Sequence, residues 1–119
     1  MSTVVRYPPI RKIRTKVYGI SFRNADGTRR QQVAEKCSPG DPLVLVREPE
    51  NPYDDLAVAV HTVGNAQLGF LGGHLAHQVT DALESGRRVS AAIINVTGGD
   101  GPWWYFRRKH GVNIELTIS

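Results

Sequence analysis

The chain has 119 residues, of which 40% are hydrophobic and 22% charged, with a formal charge of +4. That length supports one domain with a core and is too short for two ordinary ones, and no apolar run approaches the roughly 20 residues of a membrane span, so no membrane partner is expected. The lone Cys37 offers no disulfide framework, and the opening MSTVVRYPPIRKIRTK lacks an apolar h-region and a cleavage site, so the expected setting is a reducing cytoplasm, free or nucleoid-associated.

In chain order, residues 1–14 mix basic side chains with a Pro-Pro pair and show no period, which predicts a loosely attached basic arm before a domain over 15–119. Six short runs rich in β-branched and apolar residues follow, each bounded by Gly, Pro, Asn or Asp: KVYGISF (16–22), PLVLVRE (42–48), LAVAVHT (56–62), QLGFLG (67–72), VSAAIINVTG (89–98) and VNIELTI (112–118). The segment RRQQVAEK is compatible with a strand or a short helix. In GHLAHQVTDALESG the apolar residues Leu75, Val79, Ala82 and Leu83 recur at helical spacing, and Gly86 stands where a helix would stop, which predicts a helix near 73–85. Many strands and one late helix predict a mainly β domain, a small, partly open barrel. No repeat or low-complexity tract interrupts it.

Charge is segregated along the chain. Up to residue 30 stand Arg6, Arg11, Lys12, Arg14, Lys16, Arg23, Arg29 and Arg30 against Asp26 alone, whereas residues 35–84 carry eight acids against Lys36 and Arg47. Arg87, Arg88, Arg107, Arg108 and Lys109 make the last third basic again. A basic start and end around an acidic middle fits a phosphate-binding surface with a local acidic element, and fits equally a solvated surface.

Catalytic motifs are weak. His74, His77 and Asp81 would share one helix face, yet no further ligand completes a metal shell, and solvated histidines are the commoner case. Cys37 has no His nearby in sequence and fits a small buried hydrophobe. TGGDGP (97–102) lacks the end of a phosphate-binding loop and reads as a turn. No cofactor and no metal are expected.

The segment EPENPYDD (48–55) is different. Pro49 and Pro52 each fix φ, and Asn51 and Asp54 can bond to their own turn backbone, which predicts a preorganised loop presenting Tyr53 and Asp54 at fixed angles. The tyrosine offers a stacking face for a base, while the carboxylate accepts a bond from a hydroxyl and repels a phosphate. The plainer alternative packs Tyr53 onto the barrel and leaves Asp54 to cap the turn. Similarly, if PWWYFRRKH (102–110) is extended, Trp103 and Tyr105 face one way and Trp104 and Phe106 the other, so one pair can close the barrel and the other can stack on bases beside Arg107 and Arg108.

LVREPENPYDDLAVAV followed by QLGFLGGHLAHQV resembles the core signature of HIRAN domains, modules of some replication-fork remodelling ATPases that also occur as stand-alone bacterial or phage proteins. The likeness runs from about Val17 to Ile118 and centres on Arg47-Glu48-Pro49 and Asn51-Pro52-Tyr53-Asp54. The resemblance implies an OB-like or SH3-like barrel that captures the 3′ end of single-stranded DNA, with Tyr53 as a stacking ring, Asp54 bonded to the terminal hydroxyl, Asn51 as a polar contact and Phe22 as a second stacking ring. It departs from the pattern of the eukaryotic members at Ser21, Phe70 and Gly73, which replace a basic residue, a His and a Lys. Arg23, Arg29, Arg30 or the basic run at 107–109 could restore the lost charge.

These considerations predict a non-catalytic DNA-binding module of repair or replication, with a site drawn from Phe22, Arg23, Arg47, Asn51, Tyr53, Asp54, Phe70, Arg107 and Arg108. Its partners would be single-stranded DNA or DNA ends, and a DNA-processing protein. Two alternatives stand beside it: a protein interaction adaptor built on the same barrel, and a nuclease or phosphatase using Asp54, Asp55 and Glu48 around a divalent metal.

Overall fold

A computed structural model gives the structure over residues 9–99 and 109–119. Its elements in chain order are β1 (Arg11–Lys16), α1 (Arg30–Glu35), β2 (Pro42–Glu48), β3 (Ala57–Thr62), β4 (Gln67–Phe70), α2 (Gly73–Glu84), β5 (Val89–Thr97) and β6 (Gly111–Ile118). All six strands form one antiparallel sheet in the order β1-β6-β5-β2-β3-β4. The sheet curls into a half-barrel whose ends approach each other just beyond β1. There Tyr18 and Phe70 exchange both backbone bonds, Tyr18 N–H to Phe70 O at 2.8 Å and Phe70 N–H to Tyr18 O at 2.9 Å. The predicted mainly β, partly open barrel of six strands is therefore what the chain forms.

Alternation sets the two faces. In β6, Val112, Ile114, Leu116 and Ile118 are buried to 1% exposure or less, and the residues between them point outward. The register places Ile13 and Ala91 on either side of Leu116, and Leu43 beside Ala91, so one apolar row crosses four strands. Ala76 and Val79 of α2 and Val33 and Ala34 of α1 join this core. Helix α2 stops where predicted: Gly86 takes φ +80°, its N–H bonds to Leu83 O, and Arg87 N–H reaches back to Ala82 O at 2.9 Å, a closure that favours glycine because a Cβ opposes that φ.

Two expectations are corrected. The basic stretch before residue 15 is not all arm, because Arg11–Lys16 is an edge strand whose every residue has a partner in β6. The ladder supplies bonds that propensity alone did not signal. Correspondingly, KVYGISF is not a strand: Lys16 ends β1, and after the bridge at Tyr18 the backbone turns at Gly19, φ +74°, with Phe22 N–H bonded to Gly19 O. The ambiguous RRQQVAEK resolves as α1, which buries Val33 and Ala34 and is stapled to the start of β6 by the Gln31 amide: its Nε2 donates to His110 O, and its Oε1 accepts from His110 N–H.

Candidate nucleic-acid interface

The loop between β2 and β3 is rigid for reasons visible in its bonds. Asn51 Oδ1 accepts the N–H of Tyr53 at 2.9 Å and of Asp54 at 3.2 Å, while its Nδ2 donates to Glu48 Oε1 at 3.1 Å. Asp54 Oδ1 then accepts Leu56 N–H at 2.9 Å, and Asp54 O accepts Ala57 N–H where β3 begins. These Asx bonds occupy the polar atoms on the inner side of the turn and leave the ring of Tyr53 outside it, 95% exposed. Thus Asp54 does cap the turn, and Tyr53 does not pack on the barrel.

Asp54 has a second anchor on α2. Its Oδ2 lies 3.0 Å from His77 Nε2, and because a carboxylate only accepts, that nitrogen is the donor. The Leu56 N–H first, and the His77 bond second, hold the Asp54 carboxyl below its ordinary value, so it is ionised at neutral pH. Two bonds leave part of the roughly four lone-pair sites of a carboxylate available for a further donor. His77, set aside above as an unremarkable helix-face histidine, is the partner that sequence spacing could not assign, because the contact spans 23 residues.

Phe70 ends β4 beside this loop, since it pairs with Ala59 two residues into β3 from Ala57. Arg30 sits over its ring, 5.3 Å from the centroid, and is 9% exposed. The guanidinium is fixed by Nε donating to Asn24 Oδ1 at 2.8 Å and Nη1 donating to Gly19 O at 2.9 Å. Burial draws Arg30 below the ordinary arginine value, opposed by the charge of Glu48. Arg30 is thus a packing element under the turn that carries Phe22, whose ring is 67% exposed. Tyr18, half exposed, adds a ring at the seam with Lys16 Nζ 5.0 Å from its centroid.

The remaining predicted residues are dispersed. Arg23 donates to Gly27 O at 3.4 Å and, with Ser21, Phe22, Arg29 and Gln31, lines a cleft of about 290 Å³. Arg47 is paired with Glu84 of α2 at 3.2 Å and points to the opposite face of β2 from Glu48. Arg107, Arg108 and the rings of residues 103–106 lie outside the described residues. Among the described residues no three His, Cys, Asp or Glu side chains gather as a metal site would require.

The sequence matches the family model of the HIRAN domain over residues 11–115. The chain belongs to the HIRAN domain family. Members of that family are known generally as DNA-binding modules. The fold agrees: the HIRAN domain of human HLTF superposes with a TM-score of 0.64 at 18% identity, covering 90% of this chain and 74% of that one. A protein from Lactobacillus plantarum gives 0.58 at 17% identity over 91% of this chain and 98% of its own. No curated protein matches the sequence significantly. Within the HIRAN half-barrel, Tyr18 and Phe70 meet at the seam with Phe22 on the turn beside them, and Tyr53 and Asp54 stand on the β2–β3 loop.

Proposed function

We propose that this HIRAN domain binds the ends of single-stranded DNA without catalysis, and favours a terminal 3′-hydroxyl. The observation that carries the proposal is Tyr53, a 95% exposed ring on a loop whose bonds leave it no packing partner, next to an ionised and doubly anchored carboxylate. An exposed ring is a stacking platform, and base–aromatic stacking contributes about 1–3 kcal/mol per base. Asp54 accepts the hydroxyl, Phe22 takes a second base, and Phe70, with Arg30 over its ring, lines the floor. Asn51 acts by keeping the loop in shape. Arg23 and Arg29 flank Phe22 and serve the backbone phosphates, and the basic run at 107–109 extends that role. Such a module acts by occupancy: it protects an end or recruits a DNA-processing protein to it.

A binding titration tests this with three ligands of one sequence: a strand ending in a 3′-hydroxyl, one ending in a 3′-phosphate, and a circle with no end. The expected order of affinity is hydroxyl, then phosphate and circle. Equal affinity for all three would reduce the protein to a general single-strand binder.

A further inference from the structure

We infer that the outward face of β1 is a backbone track for the DNA strand leaving the terminal site, with Lys12, Arg14 and Lys16 each taking one phosphate. The inference rests on the end-binding reading above and adds a second surface to it.

The register fixes which side chains face out. Ile13 and Thr15 are half-buried toward the core, so Lys12, Arg14 and Lys16, all exposed, stand on the opposite face beside Thr117, Glu115 and Asn113 of β6. Two residues of strand rise about 6.6 Å, comparable to one backbone repeat of an extended single strand. The row ends at Tyr18, where Lys16 Nζ overlies the ring and the backbone bridges to Phe70, so the cations lead into the aromatic cluster. Across β1, β6 and β5 the only acid is Glu115. It bonds to Arg14 Nε at 3.3 Å, and among the described residues the two terminal nitrogens of that 77% exposed guanidinium have no partner. Protection of an edge strand from pairing explains one lysine there, but requires neither three cations in line nor a row that ends on an aromatic.

Binding of the full chain to a ladder of oligothymidylates with 3′-hydroxyl ends, from about two to about ten nucleotides, tests the track by length and salt dependence. Affinity should climb as nucleotides are added on the 5′ side and level off about three phosphates beyond the terminal site. K12Q/R14Q/K16Q, which keeps the edge polar, should abolish that climb and lower the single-strand salt slope by about 2, at about 0.7 for each phosphate. Its preference for a hydroxyl over a phosphate on the shortest strands should persist. E115Q should tighten binding of the long strands and leave the shortest unchanged. If the triple variant keeps the climb and the slope while the end preference is intact, the track is wrong and the terminal site stands. If no oligonucleotide binds at any length, both are wrong.

Discussion

Asp54 Oδ2 and His77 Nε2 are 3.0 Å apart, which ties the β2–β3 loop to the second turn of α2. The pair is partly exposed, at 34% and 50% of the two side chains, so its own contribution to folding is small and screened. Its consequence is positional: the loop backbone orients the carboxylate from one side and the helix from the other.

The anchoring of Asp54 predicts a pH signature. Its folded value lies below the ordinary 3.8, so the unfolded chain takes up the proton first as pH falls. The stabilisation is complete well above 3.8 and disappears as pH drops through the lower folded value. The stability difference between the native protein and Asp54→Asn, from denaturant midpoints, should shrink as the pH falls from about 5 through the lower folded value. A difference that grew over that acid range would mean that the carboxylate is not held in its charged form.

Tyr53→Ala and Phe22→Ala should each weaken single-strand binding by about 1–3 kcal/mol. Because the rings are 95% and 67% exposed, the midpoint of thermal unfolding should hardly move. Parallel calorimetry and fluorescence anisotropy separate the two quantities. A large fall in unfolding temperature for Tyr53→Ala would return the ring to the barrel.

The seam gives a stability test remote from DNA. A Cβ at Gly69 would collide with the carbonyl oxygen of Tyr18 and come within 2.7 Å of Val17 Cγ1. Backbone atoms cannot step aside cheaply, so Gly69→Ala should destabilise the fold by about 1–3 kcal/mol or more. Gly73→Ala, with open space around the new methyl, is the control. Chemical denaturation of both should separate them clearly, and equal midpoints would mean that the strand ends are not closed there.

The β2–β3 hairpin, β5, β6 and α2 were legible because their periods and boundaries are local: alternation in VNIELTI and helical spacing in HLAHQVTDAL need no distant information. The loop chemistry of Asn51 and Asp54 was legible for the same reason. What the sequence concealed depends on partners far along the chain. Arg11–Arg14 reads as the end of a basic arm, and only β6, about a hundred residues away, makes it part of a strand. Arg30 looks like one more surface cation, and its burial depends on Asn24 and Gly19 closing a turn around it over the ring of Phe70. Whether Tyr53 packs inward or stands free was open in the sequence, because the answer lies in the Asx bonds that turn the backbone beneath it.

On the proposed end-binding reading, an acidic side chain in a basic DNA-binding module reads the chemistry of a strand terminus. A carboxylate beside a phosphate backbone weakens binding unless a donor compensates it, and a terminal hydroxyl is such a donor, at roughly 1.5–3 kcal/mol for a charged hydrogen bond. Specificity then has a repulsive part as well as an attractive one. The most direct measurement is anisotropy at one fixed salt concentration with short single strands that differ only at the 3′ terminus, comparing the native protein with Asp54→Asn. Opposite changes are expected: weaker binding of the hydroxyl end and tighter binding of the phosphate end. Equal shifts for both ligands, or none, would contradict it and leave Asp54 as a residue of the turn alone.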